Sequence, residues 1–172
     1  MSVFEEKNMR YMKTAVLLLS LMTGMPAVAD GLTKTLPGDM TLNQAQAAVQ
    51  AAVEKARVMK VPVNVAVVDA GGNLKAFARM DDAFIGSIDI AERKARTARY
   101  FNMSTRVLGK ASQPGQPLYG IETTNGGLVI FAGGELLTDK TGTIIGGIGV
   151  SGGTVDEDEA IAKAGVQVLQ SR

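Results

Sequence analysis

The sequence predicts an α+β domain in which an antiparallel sheet of about five strands is flanked by helices. Three observations lead to that class. Strand candidates come as hairpin pairs, not as single strands alternating with helices. Turn signals, Gly71-Gly72-Asn73 and Asp139 to Gly142, sit between paired strand candidates. In the helical candidates, apolar residues return at three- and four-residue steps, which confines them to one face.

Residues 30–40 form a polar lead-in containing Pro37-Gly38, and the domain proper is expected over 41–172. Thr41 and Gln44 have the spacing of a capping box. Leu42, Ala45, Val49, Ala52, Val53 and Ala56 then line one side of a helix that Pro62 terminates. Val63 to Val68 is a strand, and Leu74 to Met80 returns beside it after the glycine turn. Ser87 to Phe101 is a second helix, with Ile88, Ala91, Ala95 and Ala98 as a narrow face of mostly small side chains. Ser104 to Ser112 suits a short helix, and Gln113 to Pro117 is a loop by composition. Three strands are expected next, Leu128 to Phe131, Glu135 to Asp139 and Thr143 to Val150. A last helix starts near Asp156 and directs Ile161, Ala164 and Val168 inward.

Residues 1–29 have the pattern of a secretory leader: Arg10 and Lys13, then the apolar run Ala15 to Met22, then Ala27-Val28-Ala29. The run is well short of the about 20 residues that span a bilayer. Cleavage would start the mature chain at Asp30, exported to the periplasm or beyond. Of the 18 basic and 17 acidic residues, three and two lie in that leader, which leaves no net charge. Nucleic acid and acidic membrane surfaces call for a basic excess, so neither is an expected partner. The chain has no cysteine and no histidine, which excludes disulfides, the usual nucleophilic triads and ordinary zinc sites.

Glycines cluster at 126–127, 133–134, 142, 146–147, 149 and 152–153. Gly147-Ile148-Gly149-Val150-Ser151-Gly152 matches a dinucleotide-binding spacing literally, but lies mostly inside a strand and lacks the downstream strand and acid. The favoured explanation is that Gly146 and Gly147 allow a bulge or the close approach of another backbone, with approach by a ligand or a neighbouring subunit open within it. Asp156 to Glu159 places four acids at a helix start, where they complement the helix dipole; as a Ca²⁺ or Mg²⁺ site they would need further ligands from elsewhere. On the second helix Arg93 and Arg96 point away from the alanine face as solvated charges. Lys94 and Thr97 lie on its flank, within reach of a ligand or of an ion-pair partner.

Taken together, VAVVDAGGNLKAFARMDDA, Lys94-Ala95-Arg96-Thr97-Ala98, FAGGELL and TIIGGIGVSGGTVDEDEAIAKAG resemble the GlcG/HbpS haem-binding family, also found as the C-terminal domain of PduO-type proteins. The likeness covers about residues 40 to 170. It implies a profilin-like sheet of about five strands with flanking helices, assembly from dimer to octamer, and binding of haem or a related tetrapyrrole. Two departures stand out. Asn73 occupies a hairpin position where relatives often carry histidine, and no histidine exists to ligate iron. Met80, Met103, Tyr100, Tyr119, Lys94, a hydroxyl or water would have to serve.

Arg79-Met80-Asp81, at a strand end, admits two readings: a carboxylate clamp beside an apolar contact, or an Arg-Asp pair closing the turn. The ligand-binding candidates are Arg79, Met80, Asp81, Lys94, Thr97, Tyr119, Gly133 and Gly134, with no catalytic residue and no metal ligand set nominated. The function expected is an exported binding protein for haem or another planar, carboxylate-bearing small molecule. The alternative is an enzyme or accessory protein acting on a small oxo- or hydroxy-acid, with Lys94 or Asp81 moving a proton.

Overall fold

The computed structural model describes residues 38–170, so the leader expected over 1–29 lies outside the described residues. The elements are helix α1 (Leu42–Met59), strands β1 (Asn64–Asp69) and β2 (Leu74–Arg79), helices α2 (Ser87–Phe101) and α3 (Thr105–Ala111), strands β3 (Gly134–Thr138) and β4 (Ile144–Ser151), and helix α4 (Val155–Gln170). A short 3-10 turn, Ile121–Thr123, lies between α3 and β3. The sheet has four strands in the order β2-β1-β4-β3, with every neighbouring pair antiparallel.

The α+β class therefore holds, with one strand fewer than expected. Residues 128–131 are buried and apolar in part, which is why they read as a strand, but their polar groups have other partners. The Leu128 amide donates to the Glu122 carbonyl at 2.9 Å, and the Val129 amide to the Thr97 hydroxyl at 3.1 Å. Gly109 of α3 lies directly on the Ile130 carbonyl, where a Cβ would come within 1.9 Å. A segment held this way by two helices has no ladder to offer a neighbouring strand.

The capping box forms as expected: the Gln44 amide donates to the Thr41 hydroxyl and the Gln44 side chain accepts from the Thr41 amide. Helix α1 ends at Met59, with Lys60 in the left-handed region. Its buried side is Ala45, Ala48, Val49, Ala52, Val53 and Ala56; Leu42, the first residue of the helix, is exposed. On α4 the buried stripe is Ile161, Ala162, Gly165 and Leu169, while Ala164 and Val168 sit half-buried at its margin. Gly165 is what lets α4 lie against α1, since a Cβ there would meet the Ala48 carbonyl at 2.9 Å.

Alternation along the strands sorts the core into two layers. Val63, Val65, Val67, Ile148 and Val150 face α1 and α4; Ala66 and Val68 face Ala91 and Ala95 of α2. The lead-in also contributes: Met40 is in the core, and Asp39 accepts from Lys75 at 2.9 Å and from the Ala70 amide at 3.3 Å, tying the chain to the β1-β2 hairpin.

The glycines of β4 settle how close α2 comes. A Cβ on Gly147 would stand 2.6 Å from the Ala95 carbonyl, and one on Gly149 2.0 Å from the Ala91 carbonyl and 2.5 Å from the Ala95 amide. The literal dinucleotide-binding spacing is thus a packing surface for a helix backbone. Gly149→Ala is expected to destabilise the domain by at least about 2–3 kcal/mol, because the obstructing atoms are backbone. Gly86→Ala, at a position with helical backbone angles and open space, is expected to stay within about 0.5 kcal/mol of the parent. Urea unfolding of the two variants measures both.

Candidate functional site

The small residues that bring α2 onto the sheet also carry Lys94 into the interior. Its side chain is 0% exposed, and the ammonium donates to Asp158 Oδ2 at 2.7 Å and to the Val150 carbonyl at 2.8 Å. The Phe131 ring lies over it, 4.9 Å from nitrogen to centroid. Gly133, with φ of 113°, and Gly134 form the remaining wall. A Cβ on Gly133 would meet Lys94 Nζ at 2.7 Å, and one on Gly134 the Lys94 carbonyl at 2.5 Å. Burial pushes the Lys94 ammonium down and the Asp158 carboxyl up, and the opposite charge of each partner pulls back. Asp158 also accepts from the Gly153 amide at 2.9 Å, so this pair joins α2, β4 and α4 at one point.

Three of the predicted residues, Lys94, Gly133 and Gly134, therefore come together, and Thr97 stands one turn along α2 with its hydroxyl on the Val129 amide. Lys94 is not on a solvent flank; its contacts are an ion pair, a carbonyl and an aromatic ring of the protein itself. Arg79, Met80 and Asp81 are elsewhere, at the end of edge strand β2. Met80 packs on the core shared with α1 and α4. Arg79 makes no ion pair with Asp81; its Nε donates to the Ala83 carbonyl at 3.3 Å. Asp81 is exposed, and Tyr119 is an exposed loop residue.

Arg79 belongs to a surface that only the packing of the helices defines. The pairings Ala66 with Phe77 and Asn64 with Arg79 put Phe77 and Arg79 on the α2 side of the sheet. Helix α2 lies on β1, β4 and β3 and leaves that side of β2 open. Asn64 Nδ2 donates to the Phe84 carbonyl at 3.0 Å, which brings the β2-α2 connection to the same corner. Phe84 and Ile85 are 70% and 72% exposed there, and Phe77 is also exposed. Strand alternation alone places Phe77 beside Arg79; nothing in the sequence says that no helix covers them.

An apolar face edged by a guanidinium suits a flat apolar ring bearing carboxylates. An iron ligand is a separate question. With neither histidine nor cysteine in the chain, imidazole and thiolate are excluded, Lys94 is engaged, and Met80 is packed inward. The phenols of Tyr100 and Tyr119 are exposed oxygen donors. The residues present fit the ring and carboxylates of a haem, and do not fit a histidine-held iron.

A second charged cluster covers the outer edge of β3. Arg106 of α3 pairs with Asp156 and, at 3.0 Å, with Glu159, and Lys163 pairs with Glu159 at 3.3 Å. Glu157 caps α4 through the Thr154 amide at 2.8 Å. Each acid of the run 156–159 thus has a partner in addition to the helix dipole, Asp156 and Glu159 sharing Arg106. Glu135 faces this cluster with Oε1 buried and without a hydrogen-bond partner among the described residues, and burial, helped by Glu159, pushes its carboxyl up to about 7.

Residues 40–167 match the family model described as "Haem degrading protein HbpS-like". The chain is 44% identical over 124 residues to the 15.0 kDa protein of the dhaT-dhaS intergenic region of Citrobacter freundii, which covers 72% of this chain and 87% of that protein. Klebsiella pneumoniae protein ORFY has a similar crystal structure, with a TM-score of 0.76, 37% identity, and coverage of 82% of this chain and 98% of that one. A complex of PduOC with haem is similar at a TM-score of 0.72 and 38% identity, over 76% of this chain and 94% of that one.

Asp158→Ala is expected to cost about 3–5 kcal/mol in urea unfolding, because it leaves a buried, unpaired ammonium. The double change Lys94→Met, Asp158→Leu is expected to cost less than that single change. Glu135 supplies a pH test. Its raised carboxyl keeps a proton that the unfolded chain has lost, so stability falls as pH rises from about 4.5 to about 7 and is level above that. Glu135→Gln removes the penalty: the variant is expected to equal the parent at pH 4 and to exceed it at pH 8 by about 1 kcal/mol after solvent screening. Thermal melts at the two pH values decide it.

Proposed function

We propose, from the premise that this chain belongs to the HbpS-like family, that it is an exported binding protein for haem or a related planar molecule bearing carboxylates. The single observation that carries the reading is the open α2 side of β2, where Phe77, Phe84 and Ile85 are exposed beside Arg79. Each such side chain covered by a ligand ring contributes about 1.5–3 kcal/mol at full burial, and a guanidinium fork orients a carboxylate. Haem in the PduOC complex, a relative at 38% identity, supports the ligand class. Export is proposed from the leader-like pattern of residues 1–29, and assembly from dimer to octamer from the family resemblance.

In this proposal the ring and the carboxylates provide the affinity. Bound haem would supply redox-active iron, but the chain offers it no imidazole or thiolate. Binding is therefore expected to survive removal of the iron. Titration of the protein into haemin should shift the Soret band and saturate, and metal-free protoporphyrin should bind within about fivefold of haemin. Phe84→Ala should weaken both by about tenfold, which corresponds to about 1.4 kcal/mol, and Arg79→Ala by a smaller factor. A haemin spectrum unchanged by excess protein, or binding indifferent to both substitutions, would overturn the proposal.

A further inference from the structure

Residues 93, 96, 97 and 100 follow one another at helical spacing, so they share a side of α2 turned away from the sheet. The loop that follows the 3-10 turn lies opposite them. Its conformation is set by Asn125, Gly126 and Gly127, all with positive φ (53°, 73° and 102°). Arg93 holds it: Nη1 donates to the Gly126 and Gly127 carbonyls, and Nε to Asp89 at 2.7 Å. Gly127, at φ of 102°, holds a backbone conformation that L side chains rarely adopt, and a Cβ there would also displace the Arg93 guanidinium, 2.2 Å away. Between helix and loop is a cleft of about 190 Å³, lined by Arg93, Arg96, Thr97, Tyr100 and residues 125–128.

The lining contains two guanidinium groups and no carboxylate. Several of its donors have no partner among the described residues. Arg96 reaches only Glu92, at 3.6 Å, beyond hydrogen-bond distance. Arg93 uses Nε and Nη1, leaving the Nη2 edge, and the Thr97 hydroxyl accepts from Val129 and retains its own hydrogen to donate. Tyr100, nearly half exposed, adds a phenol. Unengaged donors converging on one concave space whose lining holds no carboxylate, with Asp89 and Glu92 balancing the two arginines from outside it, make an anion site. The volume is below the about 300–1,000 Å³ of drug-sized pockets, so a tetrapyrrole does not fit and a compact group does.

We infer that the cleft between α2 and the 125–128 loop binds a small oxyanion, a carboxylate or a phosphate group, with Arg96 as its principal contact. Arg93 shapes the loop and presents its free edge, and Tyr100 and Thr97 add neutral donors. The loosely held Glu92 competes for Arg96 until the anion enters. This site shares no residue with the Phe77, Phe84 and Arg79 face and stands or falls separately from it.

The test is a ¹H–¹⁵N NMR titration of the whole chain with acetate, malonate and inorganic phosphate, each at ionic strength held constant with chloride. Saturable shifts of the 125–128 amides and of the Arg93 and Arg96 Nε–H signals are expected with at least one anion; malonate or acetate acting alone identifies a carboxylate site, phosphate alone a phosphate site. Arg96→Ala should weaken that binding at least tenfold while leaving the haemin titration unchanged. Arg96→Lys should fall between, for want of the planar fork. Glu92→Gln should tighten binding two- to fivefold, an effect that a purely structural Glu92-Arg96 pair would not produce. Shifts that stay linear with all three anions, or equal affinity in the parent and Arg96→Ala, would overturn the inference.

Discussion

The contact on which the rest depends is backbone against backbone: α2 rests on β4 at Gly147 and Gly149, where no side chain fits. Ala91 and Ala95 complete the contact from the helix side. Because interiors are close-packed, removing side chains at this interface sets the depth of the helix in the fold. Lys94, adjacent to Ala95 on the same helix, is then carried below the surface, and its charge must be answered there. Asp158, Val150 and Phe131 answer it, and Gly133 and Gly134 leave the space in which they do so.

The buried pair in turn fixes α4. Its first turn holds four acids with three separate destinations. Asp156 and Glu159 reach Arg106, Glu157 forms the cap, and Asp158 turns inward to Lys94. This arrangement places α4 relative to α2 and α3 on both sides of β3. It also leaves Glu135 with a buried oxygen that no described residue hydrogen-bonds, so the edge of the sheet has a titrating group close to neutral pH. Charge inside this domain mainly positions helices, and the surfaces proposed for binding lie outside it.

Two such surfaces follow from where α2 sits. Lying over β1, β4 and β3, it leaves one side of β2 open, with aromatic and aliphatic groups beside Arg79. Its outward side, with Arg93, Arg96 and Tyr100, meets a glycine-shaped loop across a cleft. One surface is broad and apolar, the other small and cationic. The difference in shape and chemistry is why different ligands are proposed for them, and the absence of histidine leaves packing and charge as the means of recognition in both proposals.

By itself the sequence determined the α+β class, nearly every helix and strand, the Thr41-Gln44 cap and both hairpin turns, and it narrowed the β4 glycines to a bulge or a close contact. Those features are local: they follow from apolar period, capping chemistry and glycine position within a few residues. The tertiary structure decided the rest. Residues 128–131 have a strand's composition, yet their amides found Glu122 and Thr97, which no local rule foresees. Lys94 was ambiguous between ligand and ion pair because its partner is 64 residues away, at Asp158. Phe84, Ile85 and Arg96 acquire meaning only from what α2 does and does not cover. Periodicity reports which face of an element is apolar; which face is left open depends on how the other elements pack, and that depends on contacts far apart along the chain.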